Sequence, residues 1–216
     1  MQCISSFFMQ TKIIPTSSSN ALPIALKLLR AGELVAFPTD TVYGVGTLAF
    51  NAAGAEKIYQ AKKRPPDKAL PILLADIEDF EKVAINVPEM ARKLAEKFLP
   101  GALTIILPKH PDIPDVISSL DTVGIRIPDH DFTRTLLRAA GPMAVTSANI
   151  SGKNSPISAE EVYAQLKGRL PLILDGGIAL GGIPSTVVDC TGNKMKVLRE
   201  GEISEKRILR ILLGII

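Results

Sequence analysis

The sequence predicts a single α/β domain built around one mixed sheet flanked by helices, and three observations carry that prediction. Segments with helical periodicity and helix-end signals alternate with short apolar, strand-like runs along the chain. The 216 residues suit one generous domain, long enough to bury about 70% of its unfolded surface. No internal repeat or low-complexity linker divides them.

Residues 1–19 read as an N-terminal extension ahead of a domain spanning 20–216. The opening stretch has no acidic side chain and no Arg, and its apolar run is too short for a signal sequence. The first helix is expected from Asn20 as cap, Ile24 and Leu28 at i,i+4, and Gly32 as stop. A buried strand at 34–37 ends at Pro38, and a second helix opens at Asn51 with Ala55, Ile58 and Tyr59 on one face. A strand at 70–74 follows. Pro88 in the first turn and Gly101 past the end then mark a third helix. Strands at 103–107 and 122–127 precede a helix closed by Gly141-Pro142, and 143–146 is again extended. Ser158 and Glu161 form a capping box that opens the next helix. Strands at 170–174, 185–190 and 196–200 and a short helix at 204–213 complete the pattern.

Composition narrows the function. The balance of 25 cations against 22 anions gives +3, too mild for a dedicated nucleic-acid binder, so any basic function is local. No stretch reaches the roughly 18 uninterrupted apolar residues of a membrane span, so no membrane partner is expected. Cys3 and Cys190 stand alone, without CxxC spacing or a nearby His. Neither a disulfide scaffold nor a zinc site is indicated, and a cytoplasmic location is expected.

Familiar motifs fail. "GVGTLA" at 44–49 lacks the third glycine of a dinucleotide fingerprint, and the earlier Gly that a P-loop needs before "SGKNS" falls at Ser147. His110 and His130 lie in Pro/Asp-rich loops and read as structural, which leaves no His-based triad. What remains are polar clusters beside buried strands, where α/β proteins open ligand crevices. "PTDTVYGVG" (38–46) offers the hydroxyls of Thr39, Thr41 and Tyr43 and the carboxylate of Asp40. "TSANISGKNSP" (146–156) supplies small neutral hydrogen-bonding groups suited to phosphate, sugar or base. "GGIPSTVVD" (181–189) brings Ser185 and Thr186 into a strand. Taken singly, each also suits an ordinary loop.

The run Lys62-Lys63-Arg64 is not one patch. Lys62 lies three and four residues beyond Tyr59 and Ile58, on the inward face, whereas Lys63 is rotated about 100° away. Arg64 precedes Pro65, which disfavours the α conformation, so the helix ends there and Arg64 can turn back toward Lys62.

"FPTDTVYGVG", "AKKRPPDKALPI", "PGALTIIL", "VGIRIPDH", "TSANISGKNSP" and "PSTVVDCTG" occur in the order and approximate spacing of a known family. Over about residues 20–200 the chain resembles the YrdC-like threonylcarbamoyl-AMP synthases. The resemblance implies a twisted, mixed open sheet with a basic concave cavity. It implies ATP-dependent condensation of L-threonine and bicarbonate to L-threonylcarbamoyladenylate, with release of pyrophosphate. That product serves the threonylcarbamoyladenosine modification of tRNA, completed by downstream transferase proteins; tRNA itself would be bound weakly. Mg2+ is expected with ATP, without a dedicated protein site.

Carried over by motif, the resemblance assigns Lys62 and Arg64 to the phosphates as the catalytic cations. Ser147 and Asn149 would hold the nucleotide, with Thr104 and Arg199 beside it. Thr39 and Tyr43 would line the threonine pocket, Ser185 would close it, and Arg126 would address an anionic group there. Lys153 stands where the family often has a basic residue. The chemistry suits these residue types: two unit negative charges about 4 Å apart repel by about 4 kcal/mol at an effective dielectric near 20. Bringing a carbamate to a triphosphate therefore calls for fixed cations more than for a protein nucleophile.

Two departures stand out. Longer members carry a second C-terminal domain, so the chain looks like the short form, and Thr146 occupies a position commonly Pro. Two other readings are an RNA-binding, translation-associated protein without its own chemistry, and an adenylate-forming enzyme with another acceptor.

Overall fold

The computed structural model describes residues 9–214, so Cys3 and the start of the expected extension lie outside the described residues. Part of that extension is a strand. β1 (Lys12–Pro15) pairs in parallel with β8 (Leu172–Asp175), Ile13 opposite Ile173. Only four residues long and ending on a proline, it suits a sheet edge, where an unpaired proline costs nothing.

The remaining strands are β2 (Val35–Phe37), β3 (Gly44–Leu48), β4 (Ile72–Leu73), β5 (Leu103–Pro108), β6 (Thr122–Arg126), β7 (Met143–Ser147), β9 (Thr186–Asp189) and β10 (Lys196–Arg199). Together they form one sheet in the order β1-β8-β2-β3-β7-β4-β6-β5-β9-β10. Its pairings are mixed: β4–β6 and β5–β9 run parallel, whereas β3–β7 and β5–β6 run antiparallel. β3 was not legible as a strand because glycines occupy alternate positions. The structure supplies their reason. A Cβ on Gly46 would stand 2.7 Å from the Ala144 carbonyl oxygen, and one on Gly44 2.8 Å from a Val145 methyl. The Val145 side chain and, at Gly46, the β7 backbone fill the space a side chain would need.

Helices cover the sheet unequally. α2 (Ala52–Lys62), α3 (Glu89–Phe98), α5 (Ala159–Leu166) and α6 (Glu205–Leu212) pack on one face around a core that includes Ile58, Leu94, Val162 and Ile208. On the opposite face, α1 (Ala21–Arg30) and α4 (Asp131–Ala140) pack against residues of β2, β4, β7 and β8, among them Phe37, Leu73, Val145 and Leu172. α1 buries Ala21, Ala25 and Leu29, one position off the face expected from Ile24 and Leu28. The small alanines bring it close, and it packs against α4. Asn20 makes no side-chain cap bond, but Asn51 accepts from the Gly54 amide at 2.8 Å. At α5, Ser158 accepts from the Glu161 amide, while the Glu161 carboxylate accepts from Ile157, one residue beyond the cap.

On β5 and β6 the period-two alternation separates two environments. Leu103, Ile105, Leu107, Val123 and Ile125 enter the larger core. Thr104, Ile106, Gly124 and Arg126 face the other way, where they line a cavity in place of a helical layer.

Candidate active site

The cavity holds about 390 Å3. Its floor is the sheet itself, and Gly124 keeps it deep: a Cβ there would lie 3.1 Å from the Thr104 methyl. The walls come from the turn after β2, the loop after α2, the end of β7, and the entry to β9. Three guanidiniums, those of Arg64, Arg126 and Arg199, line this one space.

Arg126 is buried, with three of its donors held. Nη2 donates to Asp40 Oδ1 at 2.6 Å, Nη1 to Thr41 Oγ1 at 2.9 Å, and Nε to the Gly101 carbonyl at 3.0 Å. Thr41, having accepted from Arg126, turns its own proton to Thr39 Oγ1 at 3.1 Å, and Thr39 donates to the Val42 carbonyl at 2.6 Å. The direction of the Thr41–Thr39 bond is set by the Val42 carbonyl, which takes the single proton of Thr39. Across the floor, Thr104 and Ser185 share a hydrogen bond of 2.8 Å, and Arg199 donates twice to the Ser185 carbonyl. Burial, and next the charge of Arg126, push the Arg199 guanidinium below its usual range. The Arg126 charge thus reaches Arg199 across the cavity.

The cationic run divides as helix phase requires. Lys62 is 1% exposed and Lys63 is open to solvent in a left-handed C-cap conformation. Lys62 does not point into the cavity, however. Its ammonium donates to the carbonyls of Ser147 and Asn149, and its own carbonyl accepts from the Ser151 amide at 2.8 Å. Burial, and next the Arg64 charge, lower its pKa to about 7. Arg64 runs forward along its loop instead of folding back, with bonds to the carbonyls of Lys68 and Ala69 at 3.2 and 2.8 Å.

Asn149 likewise stands one layer back. Its amide donates to the carbonyls of Ile150 and Lys153, which fastens its own loop, and Ser147 is left to border the cavity. Lys153 is exposed. Tyr43 also borders the cavity, but its hydroxyl donates to the Gly177 carbonyl at 2.6 Å and accepts from the Gly176 amide. It anchors the strap 176–185, and burial pushes its pKa up to about 12. The structure thus gathers Thr39, Thr104, Ser185 and the three arginines around one space. Lys62 and Asn149 brace the wall behind it.

Three participants lie within the polar clusters without being singled out by sequence: Asp40, Thr41 and Ser155, of which Thr41 and Ser155 line the cavity. Asp40 lies beside one chosen residue, Thr39, and its pairing with Arg126 spans 86 positions, a distance that local reading does not bridge. His130 caps α4 through the Thr133 amide, in keeping with a structural part. Among the described residues no group of three or more His, Cys, Asp or Glu side chains could hold a metal. No described helix is long and apolar enough to cross a membrane.

A mixed open sheet whose uncovered half carries convergent arginines and hydroxyls defines an α/β class with a cavity suited to anions. Comparison with known proteins narrows it. The profile of the Sua5_yciO_yrdC family, described as "Telomere recombination", matches residues 27–201, and the chain belongs to that family. A threonylcarbamoyl-AMP synthase of Bacillus subtilis is 46% identical over 191 residues, 87% of this chain and 55% of that protein. A putative threonylcarbamoyl-AMP synthase of Mycobacterium tuberculosis is 38% identical, and the match covers 92% of each. The crystal structure of P. abyssi Sua5 complexed with L-threonine superposes with a TM-score of 0.90 at 40% identity, over 94% of this chain and 61% of that one. The chain thus spans little more than half of the B. subtilis protein.

Proposed function

We propose that the cavity condenses L-threonine, bicarbonate and ATP into L-threonylcarbamoyladenylate and releases pyrophosphate. The observation that carries this reading is the convergence of Arg64, Arg126 and Arg199 on one space ringed by hydroxyls. Relatives named threonylcarbamoyl-AMP synthase support it. In the reaction the threonine amine bonds to the carbon of bicarbonate with loss of water, giving a carbamate. A carbamate oxygen then bonds to the α-phosphorus of ATP, and the breaking P–O bond leaves its electron pair on pyrophosphate. Both partners are anions. Catalysis then consists of holding them together and stabilising the charge that collects on the leaving group.

Arg64 and Arg199 would flank the phosphates, with Thr104 beside them and Ser147 at the nucleotide. Arg126 would meet the threonine carboxylate, next to Thr39 and Ser185. Lys62 would support the phosphate side from behind by holding the Ser147 and Asn149 carbonyls. Tyr43 would act through the strap it anchors. The Asp40 carboxylate is already taken by Arg126. Mg2+ would therefore enter as the ATP complex, neutralising phosphate charge, without a carboxylate cage of the protein. The product, a mixed anhydride, would pass to cytoplasmic transferase proteins that modify tRNA.

Incubation with ATP, bicarbonate and L-threonine should release pyrophosphate, measured by a coupled phosphate assay. Release that does not depend on threonine would refute the proposal. Equal release with serine in its place would point to a different acceptor.

A further inference from the structure

We propose that Asp40 is a positioning residue for the amino-acid end of the cavity, aiming Arg126 at the ligand's carboxylate and tempering its charge. This rests on the reading of the cavity as a threonine and ATP site. Arg126 has five N–H donors. Asp40, Thr41 and Gly101 take one each from Nη2, Nη1 and Nε, which leaves one free donor on each terminal nitrogen. With the guanidinium plane held on three sides, those two donors have a fixed direction. Asp40 provides the sole ion pair of Arg126 among the described residues, and the two side chains are only 10% and 17% exposed.

Asp40 is itself held. Its carbonyl accepts from the Gly181 amide at 3.2 Å and the Thr41 carbonyl from the Gly182 amide at 2.8 Å. A Cβ on Gly181 would fall 2.6 Å from the Asp40 carbonyl oxygen, so the strap lies directly against this turn. The far end of the strap carries Ser185 into the cavity. Asp40 therefore connects Arg126 on β6 to the segment that supplies the opposite wall. Its charge also offsets one of three guanidiniums in a shared space. Removing that charge while keeping the oxygen should free Arg126 to swing and make the cavity more attractive to polyanions.

Asp40→Asn separates these effects, because they move two probes differently. L-Threonine and inorganic pyrophosphate binding would be measured by calorimetry on the unsubstituted protein and the variant. Threonine affinity should fall about tenfold or more, the usual scale for loss of a residue that orients a ligand-binding group. Pyrophosphate affinity should hold or rise. Unchanged threonine affinity, or a parallel fall for both probes, would overturn the proposal, the latter because a general loosening weakens every ligand. If the unsubstituted protein fails to bind threonine, the parent reading falls and the proposal with it. Should Asp40→Asn not fold, Asp40→Glu tests the same aim by keeping the charge and displacing the carboxylate that holds Arg126 Nη2. Threonine affinity should then fall with pyrophosphate affinity intact, and no change would count against the proposal.

Discussion

At the scale of single residues, Lys62 makes stability depend on pH. Its amine is held near 7 in the folded chain, chiefly by burial, against 10.5 when free. Because the folded pKa is the lower, the unfolded chain binds more protons between these values, and stability rises with pH across that window. The cost of the buried charge is fully felt below about 7. Lys62→Met should remove this contribution, so urea unfolding at about pH 7 and pH 9.5 should show a smaller gain than in the unsubstituted protein. At the higher pH the variant should also be less stable by about 1–3 kcal/mol, since the Ser147 and Asn149 carbonyls lose a donor. The inward turn of Lys62 was readable from helix phase. Its partners were not, because they lie 85 and 87 positions away.

Among the elements, the contact of α2 with β3 carries a testable flaw. Gly54 of α2 lies so close to Thr47 that no Cβ fits between them, and the buried Thr47 hydroxyl has no hydrogen-bond partner among the described residues. Thr47→Val keeps the shape and deletes the orphaned group. It should stabilise the protein by about 1 kcal/mol, measured by chemical denaturation. A loss would mean that the hydroxyl has a role in the native state. The same pair of elements shows what was legible. α2 declared itself through Asn51 and its apolar spacing, both local signals. β3 did not, since Gly44 and Gly46 are there for the approach of β7, and that approach exists only once the chain has folded. β1 is comparable: four residues acquire strand character from pairing with β8, far along the sequence.

For the whole molecule, the sheet runs from one edge at β1 to the other at β10. Removing residues 1–16 would strip β1 and expose the β8 edge. Each kcal/mol so lost should lower the melting temperature by about 2–4 °C in a domain of this size. Unpaired backbone should also promote self-association, visible by size-exclusion chromatography. An unchanged melting temperature and elution volume would show that β1 contributes nothing. The half-covered sheet has a further consequence for how the protein can be altered. Cavity residues such as Thr104 and Arg126 alternate with core residues such as Ile105 and Ile125 along the same strands. Ligand preference and foldedness are thus written on opposite parities of one text. A library restricted to cavity parity can rewrite specificity with the core left as it is. A single inserted residue in β5 or β6 would exchange the two readings and lose both.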